Sequence, residues 1–140
     1  MNALIEWIDS PEGLTQWGGP SLTWPVDAAR LWQQIDADTL PSFSLKEDGE
    51  LQAFGQLSPR DQQTTWHLCR LIVAPHLRGQ QLGERLCRYL EAQAAHLGGT
   101  RVTLNVAVDN QPALRLYQRL GYISSAPVDE RGVQPMARQL

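Results

Sequence analysis

Lysine is almost missing from this chain: of twelve basic residues, eleven are arginine and only Lys46 is not. Cysteine is equally scarce. Cys69 and Cys87 lie inside apolar patterns, too few for a disulfide framework, and read as reduced core thiols. Histidine and cysteine are not clustered at ligand spacing, so no structural zinc site is indicated and no metal is expected. No apolar run is long enough to cross a bilayer, so no membrane partner is expected. The opening "MNALIEWIDSPEG" carries acids and no basic region. It does not read as a signal peptide, and the expected location is cytoplasmic.

What is present is a globular composition. The 140 residues are 42% hydrophobic and 19% charged, which suits one domain over 1–140 with a real core. The net charge of −3 hides an asymmetry. Residues 1–65 hold three Lys/Arg against ten Asp/Glu, and residues 66–140 hold nine Arg against five acids. Drift in surface charge is one reading. The other is a basic half facing an anionic ligand and an acidic half facing a cationic one. An acidic chain lacks the footprint of a nucleic-acid binder.

Periodicity gives an element order. "ALIEWI" (3–8) reads as a short first strand, and "SPEGLTQW" as a capped helical turn with Ser10 as N-cap and Pro11 in the first position. After the breaker-rich loop "GGPSLTWP", the residues Val26, Ala29, Leu31, Trp32 and Ile35 give a second helix. "FSLKEDGELQAFGQLS" is a hairpin around Asp48-Gly49, and a turn at 59–63 leads into a longer strand, 64–73. Leu82, Leu86, Leu90, Ala94 and Leu97 mark an amphipathic helix over 81–97, stopped by Gly98-Gly99. A strand at 101–108, a helix running from Asn110 or Asp109 to Gly121, and closing strands complete an α/β domain around a mixed sheet.

The segment "LIVAPHLRGQQLGERLCRYLEAQ" (71–93) puts an arginine and two glycines between a strand and a long helix. A helix N-terminus exposes unpaired N–H groups and the positive end of the backbone dipole, so an anion such as pyrophosphate satisfies both. Gly79 and Gly83 keep Cβ atoms away, and Arg78 adds a fixed charge. An ordinary strand-to-helix turn would use some of the same residues.

Two motifs together narrow the choice. "VAPHLRGQQLG" resembles the acetyl-coenzyme A signature of the GNAT superfamily of N-acetyltransferases, Arg/Gln-x-x-Gly-x-Gly/Ala after a strand ending near Val-x-Pro. Further on, "NQPALRLYQRLGY" resembles the second signature, with Asn110, Ala113, Leu116, Tyr117, Gly121 and Tyr122 matching. The likeness covers 64–124 as an acetyl-CoA-binding core, with 1–63 as the variable, acceptor-side half. It implies the GNAT fold, a mixed central sheet of about six to seven strands flanked by about four helices. One position departs: Gln81 stands where the motif usually has Gly.

The resemblance implies that the backbone of Leu71, Ile72 and Val73 pairs with the pantetheine arm. It implies that Arg78, Gly79, Gln80, Gln81, Leu82 and Gly83 hold the pyrophosphate, that Asn110 hydrogen-bonds acetyl-CoA, and that Tyr117 reaches the thioester sulfur. Asn110 also reads as a helix cap, and Tyr117 as a core aromatic. Histone-type members carry a Glu base on the strand before the cradle, at a position that corresponds by spacing to His67. An unperturbed imidazole of pKa ~6.5 suits that role. A structural strand histidine, a water relay to Glu47 or Glu50, and no dedicated base are the other readings. Trp17 and Trp24 flank the loop before the second helix and read either as aromatic walls for a cationic amine or as packing.

The activity expected is transfer of acetyl from acetyl-CoA to a primary amine of a small molecule or peptide, directly in a ternary complex. Its rival is a non-catalytic acyl-CoA-binding or regulatory module. The sequence does not identify the acceptor or the oligomeric state; homodimers are common in the superfamily.

Overall fold

Short polar side chains ahead of apolar-periodic runs fix where the early helices start. The computed structural model describes residues 2–19, 21–78 and 81–140. Ser10 Oγ accepts from the Gly13 N–H at 3.0 Å and opens α2 (Pro11–Gly18). Asp27 Oδ1 accepts from the Arg30 N–H at 3.0 Å and opens α3 (Ala28–Gln34). The expected first strand is instead a helix, α1 (Asn2–Trp7). Leu4 inside this helix and Ile8 one residue past its end are both buried, and a four-residue spacing lines one face of a strand as well as of a helix, so the pattern alone does not separate the two.

The hairpin forms as expected from β1 (Ser42–Glu47) and β2 (Glu50–Arg60). Asp48 and Gly49 both take positive φ, 52° and 78°, as a two-residue turn matched to strand twist requires. β3 (Thr65–Val73) follows, then α4 (Leu82–His96), β4 (Arg101–Ala107), α5 (Gln111–Arg119), β5 (Ile123–Ser124) and β6 (Val133–Gln139). Among the described residues, the six strands form one mixed sheet in the order β1-β2-β3-β4-β6-β5. Five α-helices accompany them among the same residues, one more than expected because residues 2–7 form a helix.

The chain packs as two compact units. Met1–Gln56 with Arg70–Leu86 makes the first, around Leu4, Ile8, Leu14, Leu31, Ile35 and Phe54. Leu57–Cys69 with Cys87–Leu140 makes the second. There Val102, Leu104 and Val106 alternate inward along β4, and Leu104 stands opposite Met136 in the antiparallel β4–β6 ladder. The parallel β3–β4 ladder is short. It pairs Thr65, Trp66 and His67 with Arg101, Val102 and Thr103, although both strands run further.

Candidate active site

The first signature folds as the end of a strand, a turn and a helix N-terminus, all in the first unit. Leu71, Ile72 and Val73 are the part-buried last residues of β3. The chain then leaves the strand at Ala74, whose N–H donates to the Gln52 carbonyl at 2.8 Å. Arg78 is exposed, and its Nε donates back to the Val73 carbonyl at 3.3 Å, tying the turn to the strand end. Gly79 and Gln80 lie outside the described residues. Gln81 accepts the Arg85 N–H at 3.1 Å through its carbonyl. The N–H groups of Leu82, Gly83 and Glu84 therefore precede that bond, at the positive end of a fifteen-residue helix. An anionic pyrophosphate suits this end of α4, and Arg78 supplies a positive charge four residues before Leu82 in the chain.

At the position that departs from the motif, Gln81 takes φ +65°, in the left-handed region where glycine is at ease, and carries the strain of a Cβ there.

The second signature and His67 lie in the second unit. Asn110 caps α5, its Oδ1 accepting from the Ala113 N–H at 3.4 Å, while Gly121 takes φ +99° past the helix end. Tyr117, on α5, meets the Tyr122 ring edge-on with centroids 5.9 Å apart. Burial, with a smaller contribution from Cys87, holds its phenol well above the ordinary tyrosine range, so Tyr117 stays protonated. Proton donation is the role that state permits.

His67 shares a 2.8 Å hydrogen bond between its Nδ1 and Thr103 Oγ1, its partner across the β3–β4 ladder. Burial, aided by the Arg60 charge, pulls its pKa down to about 4. The imidazole is neutral at pH 7 but a much weaker base than the unperturbed value of ~6.5 implies. Trp17 packs on Phe54 with ring centroids 6.5 Å apart, whereas Trp24 is exposed.

Sequence reasoning missed two groups. Glu91 is buried on α4 and binds Tyr122 and Arg138; an acid one turn from Cys87 and three residues before Ala94, on the apolar face, was the available signal. Arg70 and the fully buried Gln56 form a second polar pair. Among the described residues, no group of three or more His, Cys, Asp or Glu side chains is placed to hold a metal, and no helix is long and apolar enough to cross a membrane.

Comparison with known proteins agrees with this geometry. The family model for the Acetyltransferase (GNAT) family matches residues 2–122, and the chain belongs to that family. A streptothricin acetyltransferase from Streptomyces lavendulae is 30% identical over 87 residues, 62% of this chain; the match spans only 46% of that relative. The crystal structure of aminoglycoside 6'-acetyltransferase type Ii is similar at a TM-score of 0.67 and 26% identity, covering 76% of this chain and 75% of that one. YncA from Salmonella typhimurium, solved with its cofactor acetyl-CoA, shares the fold at a TM-score of 0.77 and 18% identity, covering 99% and 87%.

Proposed function

We propose that this chain transfers the acetyl group of acetyl-CoA to a primary amine of a small molecule or peptide, by direct attack in a ternary complex. The observation that carries the reading is the first signature, where Arg78 Nε returns to the Val73 carbonyl at the end of β3 and α4 opens at Leu82 with its first N–H groups unpaired within the helix. One domain over 1–140 is assigned, with 1–63 on the acceptor side and 64–124 as the cofactor core, and the setting is cytoplasmic. The named activities of the relatives, on streptothricin and an aminoglycoside, support an amine-bearing acceptor.

Bound acetyl-CoA supplies the acyl group as a reactive thioester. Arg78 and residues 81–83 hold its pyrophosphate by charge and backbone N–H donation. The backbone of Leu71, Ile72 and Val73 orients the pantetheine arm as an added strand, and an N–H near Val73 polarises the thioester carbonyl. Asn110 donates to the cofactor through its side-chain amide while its Oδ1 caps α5. Tyr117, protonated, gives its phenolic proton to the departing thiolate. His67, with its lowered pKa, takes the amine proton weakly, so the reaction favours an acceptor whose amine is already substantially neutral.

Thiol release from acetyl-CoA across a panel of amines, with mass spectrometry of the products, tests the reading. The weak basicity of His67 favours a second reading, a non-catalytic acyl-CoA-binding module. That protein would bind coenzyme A and release no thiol with any amine.

A further inference from the structure

Arg70 is the least conventional residue of β3. It sits inside the strand at φ +54°, a left-handed value that is strained for a non-glycine residue. Its Nη1 donates to Gln56 Oε1 at 3.0 Å. Gln56 is fully buried, and its Nε2 donates to both the Ile35 carbonyl (3.0 Å) and Ser42 Oγ (2.9 Å), which fixes the amide with its oxygen toward Arg70. The guanidinium is thus anchored by a neutral group.

What Arg70 lacks is a counter-charge. Among the described residues it makes no ion pair, and its Nε is sealed from solvent without an acceptor. Acids are abundant in the same unit, so the absence does not come from composition. The end of α2 lies against it: a Cβ at Gly18 would come 3.9 Å from Arg70 Nε. That helix end offers partial negative charge at most. The neighbouring Trp17 packs on Phe54, which shares a face of β2 with Gln56, and its indole N–H is likewise buried without an acceptor. Two orphaned donors and a part-buried cation anchored only by a neutral amide are a cost that no acid among the described residues offsets.

Arg70 directly precedes Leu71–Val73, the residues assigned above to the pantetheine arm. We propose that Arg70 is a specificity-determining residue that receives a carboxylate carried by the acceptor, so that the substrate belongs to the amino-acid or short-peptide class, with its amine beside an anionic group. This inference rests on the acetyltransferase reading. A half-buried guanidinium held in place by Gln56 opposes a polycation and rewards a zwitterion, whose amine the acidic N-terminal half still attracts.

The test uses the full chain with acetyl-CoA and three matched acceptors: tryptophan, tryptophanamide and tryptamine. The carboxylate should raise kcat/KM over both neutral-ended analogues by roughly 10- to 100-fold, the worth of a charge-assisted hydrogen bond. Arg70→Gln should bring the ratio toward one, with the KM for acetyl-CoA unchanged, and Arg70→Lys should keep part of it. Comparing ratios between wild type and variant cancels the different amine pKa values. Turnover with no preference for the carboxylate, faster turnover of spermidine, or a rise in the acetyl-CoA KM instead would overturn the inference. If no amine releases thiol, the acetyltransferase reading falls by itself. Calorimetry of tryptophan against tryptophanamide, with coenzyme A present, still decides whether Arg70 binds a carboxylate.

Discussion

The Tyr122 hydroxyl donates to Glu91 Oε2 at 2.7 Å, and both residues are buried. The other carboxylate oxygen takes Arg138 Nη1 at 2.9 Å, with Arg88 at 3.6 Å on the exposed side. One acid thus fixes α4, the segment after α5 and β6 to each other, and through the Tyr122 ring it bears on Tyr117. Removing the acid strands two partners, whereas removing the hydroxyl strands only Oε2 of a carboxylate whose other oxygen Arg138 still pairs. Glu91→Ala should therefore cost ~3–5 kcal/mol, and Tyr122→Phe ~1.5–3 kcal/mol. Urea denaturation of both variants checks the order, and equal small losses would show that the network is not holding the unit together.

Tyr117→Phe keeps the ring and its edge contact with Tyr122 and removes only the proton donor. Turnover should fall by ~10²-fold, with little change in cofactor affinity. Because burial raises this phenol above its usual value, the wild-type profile should show no falling limb where a free tyrosine titrates, near pH ~10. A pH–rate series on both proteins reads the two expectations together; unaltered turnover in the variant would reduce Tyr117 to packing.

Much of this was legible locally. Asp48-Gly49 encodes its own turn, Ser10 and Asp27 encode their caps, and the Leu82-to-Ala94 spacing encodes α4, since each signal lies within a few residues of its effect. Six residues are too few for periodicity to decide, and "ALIEWI" was misread as a strand because the burial of Leu4 and Ile8 is set by packing. The partners of Glu91 lie 31 and 47 residues away, so nothing local pairs them. The left-handed backbone at Arg70 and Gln81 is equally silent, because neither residue type announces positive φ.

Gln81 offers a stability test with a binding control. Restoring glycine removes the Cβ strain of a left-handed residue, ~1–2 kcal/mol, and returns part of it as backbone entropy of the unfolded chain. Gln81→Gly should come out more stable by roughly 0.5–1 kcal/mol, with coenzyme A bound as tightly or tighter. Arg78→Ala and Gly83→Val should weaken coenzyme A binding while the melting curve holds. Calorimetry beside thermal denaturation separates the two effects. A marked loss of affinity in Gln81→Gly would give the Gln side chain its own contact with the cofactor.

His67 makes the last prediction, because its pKa of about 4 moves both a stability limb and a kinetic one. The unfolded chain protonates this imidazole near pH ~6.5, while the folded chain resists until about pH 4. Between those values the unfolded state binds more protons, so stability is full above pH ~6.5, declines as pH falls toward 4, and levels off below. His67→Gln removes the titration, and its stability should be flatter across that window, measured by denaturation at fixed intervals of pH. Kinetically, a rise in kcat/KM near pH ~6.5 cannot come from this residue, and any limb at higher pH belongs to the acceptor amine. His67→Ala should therefore leave the high-pH limb in place and alter only the profile near pH 4. Loss of a limb at pH 6.5 in that variant would mean that the bound complex restores the imidazole to an ordinary base, and would return His67 to the place of the missing Glu.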